Sequence, residues 1–139
     1  MKMKNVEIVM ILNSLGSFNE KKLPQKISYA ITKNNMILAK EYEVYVKELE
    51  KLNAEYNEYM IKDENGELEL NPSGIPKVKS EVEEEYYGKI NELLNIEIEV
   101  NIYTIDEECF DYDDIKGKYD SLSVSEQMML RALLTKIEK

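Results

Sequence analysis

The sequence predicts an α+β fold dominated by helix, with a long antiparallel helical hairpin, a small β-strand or hairpin element and a C-terminal helix. Two helical patterns separated by a loop should fold back as an antiparallel pair. The period of the apolar residues then changes to two, which is typical of a strand. A capped amphipathic segment follows near the C-terminus. The length of 139 residues suits one domain covering 1–139.

The longest element is a helix predicted over about residues 24–60. Pro24 suits its first turn, where a missing N–H costs nothing, and neither Gly nor Pro recurs until Gly66. Seam residues recur at alternating steps of four and three, which is a heptad pattern interrupted by polar Asn35. The seam comprises Ile31, Asn35, Leu38, Tyr42, Tyr45, Leu49, Leu52, Tyr56 and Tyr59.

The predicted length of this helix suggests self-association. At about 1.5 Å per residue it would extend roughly 55 Å, more than the width of a compact domain of this size. We therefore expect part of the seam to be covered by a second copy of the chain in a homo-oligomer. The expected contact residues are Asn35, Leu38, Tyr42, Tyr45 and Leu49.

The stretch Asp63–Gly66 imitates part of a calcium-binding loop but fails its pattern. Counting back from Gly66 places Ile61, which offers no ligand, at the first position, and Pro72 stands where a glutamate is required. Asn and Gly at 65 and 66 tolerate positive φ and favour a turn. We predict a turn at 62–67, leading into a short hairpin, and no metal site.

The remaining elements follow from local patterns. A second helix is predicted at about 77–94 and a strand at about 95–105, followed by an acidic loop at 106–122. Ser123 and Glu126 have the spacing of a capping box, which predicts a helix over 124–137. Residues 5–15 are compatible with a helix or a buried strand, and we prefer the helix. Three partners remain open for the strand: residues 67–70, the N-terminal segment, or a second copy.

Composition excludes several kinds of function. The 139 residues contain no histidine and one cysteine, Cys109, so Ser–His and Cys–His catalysis, histidine metal sites and an internal disulfide are ruled out. The net charge is −10, which disfavours binding to phosphate backbones or anionic membranes and suits a basic partner protein. No apolar run approaches the roughly eighteen residues of a membrane span. We expect a cytoplasmic protein without cofactor, metal or catalytic residues.

The candidate protein-binding surface is the acidic segment after the strand, because it combines carboxylates with aromatic side chains. Its residues are Asp106, Glu107, Glu108, Phe110, Asp111, Tyr112, Asp113 and Asp114. Two interpretations stay open. The aromatic residues are exposed for a partner, or they fix the loop to the core and leave the carboxylates solvated.

Three segments resemble a family of small uncharacterised phage proteins of Gram-positive hosts. They are the Leu23-Pro24 helix start, the Lys62-Asp63-Glu64-Asn65-Gly66 helix end and the junction of residues 93–100. The family has no assigned activity, so the resemblance implies only a phage or prophage origin. It favours a non-enzymatic protein-binding factor, such as an acidic inhibitor of a host nucleic-acid-binding or defence protein. The alternative is a virion-assembly or chaperone-like accessory protein.

Overall fold

The structure is a computed structural model that describes residues 1–112 and 117–135. These residues form four α-helices and one two-stranded sheet, in the order β1 (Lys2–Lys4), α1 (Asn5–Gly16), α2 (Gln25–Glu55), α3 (Ser80–Leu94), β2 (Glu97–Glu99) and α4 (Val124–Leu134). The predicted α+β class dominated by helix is therefore confirmed. In the described part of the chain, no helix has the length and apolar character that crossing a membrane requires.

The N-terminal segment provides both the partner of the strand and the first helix. β1 pairs antiparallel with β2, with Met3 opposite Ile98. Helix α1 begins directly after β1, and the preference for a helix over residues 5–15 is confirmed. Buried Asn5 fixes the corner, because its Nδ2 donates to the Leu93 carbonyl at 2.9 Å and its backbone N–H donates to the Ile96 carbonyl at 3.1 Å.

Helix α2 connects two separate apolar cores. Its N-terminal half packs on α1, α4 and the segment after β2 through residues such as Ile31 and Leu38. Its C-terminal half packs on α3, where Tyr56 meets Tyr86 and Ile90. The 31 residues of α2 correspond to about 46 Å of helix. The helix ends at Glu55, before the predicted residue 60, and a 3-10 turn at Asn57–Tyr59 follows it.

Residues 61–76 form two similar turns, eight residues apart. Asp63 Oδ1 accepts hydrogen bonds from the N–H groups of Asn65 and Glu67 at 2.8 and 3.0 Å. Asn71 Oδ1 repeats this pattern with Ser73 and Ile75 at 2.9 and 3.0 Å. Gly66 and Gly74 close the turns with φ of 78° and 80°, a conformation that glycine adopts without steric cost. The Asp63 carboxylate thus serves an Asx turn.

Backbone hydrogen bonds in this region form a closed cycle. Ile61 N–H donates to the Lys77 carbonyl, Lys77 N–H to the Glu69 carbonyl, and Glu69 N–H back to the Ile61 carbonyl, at 3.0, 2.8 and 2.9 Å. Three short extended pieces are therefore held around one cycle of hydrogen bonds. This arrangement returns the chain from the end of α2 to the start of α3.

The strand predicted over 95–105 is largely an extended segment without a strand partner. Only Glu97–Glu99 pairs with β1. The alternation of side chains continues, because Val100 is buried and Ile102 packs against the main core. Beyond residue 100, backbone partners come from a side chain of α2 and the end of α4 instead of a neighbouring strand.

Helix α4 begins at the predicted capping box. Ser123 Oγ accepts from the Glu126 N–H at 3.1 Å, and Glu126 Oε1 accepts from the Ser123 N–H at 2.9 Å. Leu130, Leu133 and Leu134 are buried in the main core. The helix ends at Leu134 with Thr135 as its C-cap, and residues 136 and 137 of the predicted helix lie outside the described residues.

Candidate functional site

The acidic segment is exposed, but its phenylalanine is not. Asp106, Glu107 and Asp111 are exposed to solvent, whereas Phe110 is only 7% exposed and belongs to the main core. The expectation that aromatic side chains extend outward with the carboxylates is therefore wrong for Phe110. Its ring fixes the segment to the core, which was the competing interpretation.

The other predicted contact residues differ in their exposure to solvent. Glu108 is exposed. Tyr112 is half-buried, and its hydroxyl donates to the Asp120 carbonyl at 2.8 Å. Asp113 and Asp114 lie outside the described residues. A partner would therefore meet a carboxylate surface here, formed by residues 106–108 and 111.

Arg131, the single arginine of the chain, connects this surface to α4. Its Nη1 lies 2.6 Å from Glu107 Oε1, and its Nη2 lies 3.6 Å from Asp111 Oδ1. The guanidinium also stacks 5.2 Å from the centre of the Phe110 ring. Two carboxylates and one ring thus share a single cation, which orients the acidic segment against the helix.

An open groove lies beside the acidic segment, and we call it the tyrosine groove. Its volume is about 480 Å³. The first turns of α2 form one wall and the extended segment after β2 forms the other. It is lined by Gln25, Lys26, Tyr29, Tyr103, Thr104, Ile105, Asp106 and Cys109.

Two exposed aromatic rings dominate this groove. Tyr29 and Tyr103 pack edge to face, with ring centroids 5.3 Å apart and planes at 65°. The two residues remain 55% and 39% exposed, respectively. Tyrosine combines a large contact area with a polar end, which is why it is frequent in protein interfaces. Lys26 and Asp106 place one charge of each sign on opposite walls.

Asn34 holds the second wall of the groove in place. Its side chain is completely buried, with an exposed fraction of 0%. Its Nδ2 donates to the Tyr103 carbonyl at 3.0 Å, and its Oδ1 accepts from the Tyr103 N–H at 2.8 Å. Two residues further on, the Ile105 N–H donates to the Leu134 carbonyl at 2.7 Å. The backbone of the extended segment is thus held by a side chain of α2 and a carbonyl of α4, and the groove is preformed.

Sequence patterns did not identify this groove. Tyr103 follows inward-facing Ile102, so the period of two already indicated that its ring points outward. Tyr29 lies off the heptad seam, which indicated exposure in the same way. The missing information was the tertiary contact that places Tyr29 against Tyr103, 74 residues later in the numbering, and no local pattern encodes it.

Of the five residues predicted to mediate self-association, one is buried in the core and four are partly accessible. Leu38 is completely buried in the main core, and half-buried Leu49 packs with the second core. Asn35 and Tyr45 are half-buried, and Tyr42 is 40% exposed. Leu38 is therefore not available to a partner chain, because it is enclosed in the main core.

A second cluster of tyrosines stabilises the packing of α2 on α3. The Tyr56 hydroxyl donates to Glu85 Oε1 at 2.5 Å, which raises the pKa of Tyr56 and lowers the pKa of Glu85. The Tyr86 hydroxyl donates to Asn53 Oδ1 at 2.6 Å. Burial raises the pKa of Tyr86 from 10.0 to about 12. A phenol with a raised pKa is a weaker acid, so the Tyr86 hydroxyl stays protonated at neutral pH.

This pKa shift predicts a loss of stability at high pH. The folded state holds the Tyr86 proton more tightly than the unfolded chain, so its contribution is complete below pH 10 and disappears as pH rises towards 12. We expect the free energy of unfolding of Tyr86→Phe to fall less steeply over this range than that of the wild type. Denaturant titrations at several pH values measure the slopes. Equal slopes in the wild type and Tyr86→Phe would contradict the assignment.

Within the described ranges, no three carboxylate or thiol side chains come together as a metal site. Comparison with known proteins gives no match: no family model fits the chain, and no curated protein or solved structure matches it. The functional argument therefore rests on the tyrosine groove and the acidic surface beside it.

Proposed function

We propose that the protein is a non-enzymatic protein-binding factor that docks a partner segment in the tyrosine groove. The observation that carries this proposal is the exposed Tyr29–Tyr103 pair, preformed by the buried Asn34 contact. A groove whose shape exists before binding loses little conformational entropy when a partner enters. The two rings provide the contact area that dominates binding energy in protein interfaces.

The groove and its surroundings indicate the chemistry of the partner. An apolar or aromatic side chain can pack against the ring pair, beside the half-buried Ile105 and Cys109 that also line the groove. Asp106 lines the groove, and the exposed Glu107 and Glu108 follow it directly in the chain. A partner segment should therefore combine one large apolar anchor with neighbouring Lys or Arg residues. Charge complementarity of this kind accelerates encounter and selects partners.

The resemblance to phage proteins suggests where such a partner occurs. Nucleic-acid-binding and defence proteins of a host expose basic surfaces that normally meet phosphates. An acidic surface beside an aromatic anchor site would compete for them. The proposed role is therefore an inhibitor of a host protein of this type.

Selection of peptides from a random display library tests the groove without knowledge of the partner. We expect the wild-type protein to enrich peptides with an aromatic or large aliphatic residue next to Lys or Arg. Fluorescence anisotropy of one enriched peptide should then show at least about tenfold weaker binding to Tyr29→Ala, since loss of one central aromatic contact typically exceeds 1.4 kcal/mol.

Two controls locate the binding site. Tyr42→Ala removes an exposed tyrosine from another part of α2 and should leave binding unchanged. Cys109 is the single thiol of the chain and lines the groove, so a bound peptide should slow its modification by maleimide. Enriched peptides that bind Tyr29→Ala as tightly as wild type, or that leave Cys109 equally reactive, would refute docking in this groove.

A further inference from the structure

The outward face of α2 carries a row of lysines that the total charge of −10 conceals. Residues 21–40 contain five lysines and no acidic residue. Lys33, Lys40 and Lys47 recur every seven residues, which places them on one side of a helix about 10.5 Å apart. Met36 and Val44 lie on the same side and are 63% and 59% exposed. We call these five residues the lysine face.

A complementary acidic face occurs on α3. Glu81, Glu84 and Glu92 are exposed and lie on the side opposite to buried Tyr86 and Ile90. Glu84 and Glu92 are eight residues apart, or about 12 Å along the helix. Their separation is close to the spacing of successive lysines on α2. We call Glu81, Glu84, Gly88 and Glu92 the glutamate face.

The glutamate face also contains an open groove, which is centred on Gly88. Gly88 lies between Glu84 and Glu92, and a Cβ built there would meet no atom within 4 Å. An open groove of about 490 Å³ surrounds it, lined by Ser80, Glu83, Glu84, Tyr87, Gly88 and Asn91. The exposed apolar side chains of the lysine face have the size to enter this groove, while the flanking lysines reach the glutamates.

Most charges of both faces have no ion-pair partner among the described residues. Lys33 and Lys40 on one face, and Glu81, Glu84 and Glu92 on the other, form no ion pair with any residue the structure describes. Lys47 alone is paired, 3.6 Å from Glu43. Charges on both surfaces are thus available to another molecule.

We propose that the lysine face of one copy docks on the glutamate face of a second copy, head to tail. The two faces point in opposite directions, since each lies on the side of its helix away from the α2–α3 contact through Leu49, Tyr56 and Tyr86. One chain can therefore bind one neighbour on each side. A nucleic acid is a poorer occupant of the lysine face, because the remainder of the chain would repel its phosphates.

Sedimentation velocity over a range of protein concentrations tests this proposal. Exposed ion pairs are individually weak, so association should appear at high protein concentration and low salt. It should disappear between about 0.01 M and about 1 M ionic strength, because the screening length falls from about 30 Å to about 3 Å. A wild type that stays monomeric throughout, or whose association is insensitive to salt, overturns the proposal.

Charge reversal provides the specific test. Lys33→Glu/Lys40→Glu and Glu84→Lys/Glu92→Lys should each be monomeric alone, because each has lost one face. Mixed in equal amounts they should associate again, since each variant keeps the face that the other needs and the two reversed faces are also opposite in charge. A mixture that stays monomeric, or single variants that associate like wild type, would exclude this interface.

Matched controls separate docking from folding and from net charge. Lys62→Glu/Lys77→Glu makes the same change of charge at exposed positions outside both faces and should associate like wild type. Lys33→Gln/Lys40→Gln should also weaken association if the reversed variant proves unstable. Binding of a single-stranded DNA oligonucleotide that is lost in Lys33→Glu/Lys40→Glu, without self-association of the wild type, would assign the lysine face to nucleic acid and reject the second copy.

Discussion

Replacing Asn34 with Ala is expected to lower the free energy of unfolding by about 2–4 kcal/mol. The side chain satisfies both the N–H and the carbonyl of Tyr103 from a completely buried position. Removal would leave two backbone groups without these partners, and each unsatisfied buried group costs about 1–3 kcal/mol. The small cavity left by the shorter side chain adds to this loss. Urea denaturation followed by circular dichroism measures the change.

The neighbouring asparagine provides the matched control. Asn35 is half-buried, and Asn35→Ala should change the free energy of unfolding by less than about 1 kcal/mol. Asn34→Ala should also loosen the tyrosine groove and increase the rate at which maleimide modifies Cys109. Equal effects of the two substitutions on stability would show that Asn34 does not hold the extended segment.

The difference between these asparagines shows where the heptad interpretation failed. The buried residues in the first half of α2 are Ile27, Ala30, Ile31, Asn34 and Leu38. Ile27, Ile31, Asn34 and Leu38 follow steps of four, three and four, which also fit a heptad, so the period was right and the position between Ile31 and Leu38 was wrong. The seam placed Asn35 where Asn34 lies. In the second half, the seam residues Leu49, Leu52 and Tyr56 pack in the second core of the same chain.

Sequence patterns predicted the positions of the helices and the strand better than the tertiary contacts that these elements make. Apolar periodicity located α2 and α3, and the capping box located α4, because those signals are local. The strand was predicted too long, since extended backbone and alternating side chains persist where no second strand pairs. Its continuation is held by Asn34 and by the Leu134 carbonyl, two contacts from distant residues.

The functional surface was predicted in part. The carboxylates of residues 106–108 and 111 are exposed as expected. The aromatic contribution comes from other residues, because Phe110 is needed in the core and Tyr29 with Tyr103 takes the exposed position. Composition identifies which residues are aromatic, but packing decides which of them remain accessible.

Replacing Leu38 with Ala should have a similarly large effect and should distinguish a core residue from an interface residue. Leu38 is completely buried among the residues of the main core, and truncation of a buried leucine costs about 2–5 kcal/mol. Tyr42→Ala, one helical turn further along the seam and partly exposed, should cost much less. Thermal unfolding of both variants measures this difference.

The dependence on protein concentration completes the test of Leu38. If its contacts are within one chain, the loss of melting temperature should be the same at protein concentrations about a hundredfold apart. If Leu38 contacted a second copy, as the heptad seam suggested, mass action would make the loss depend on concentration. A concentration-dependent effect, or a loss below about 1 kcal/mol, would place Leu38 outside the core that α1 and α4 form around α2.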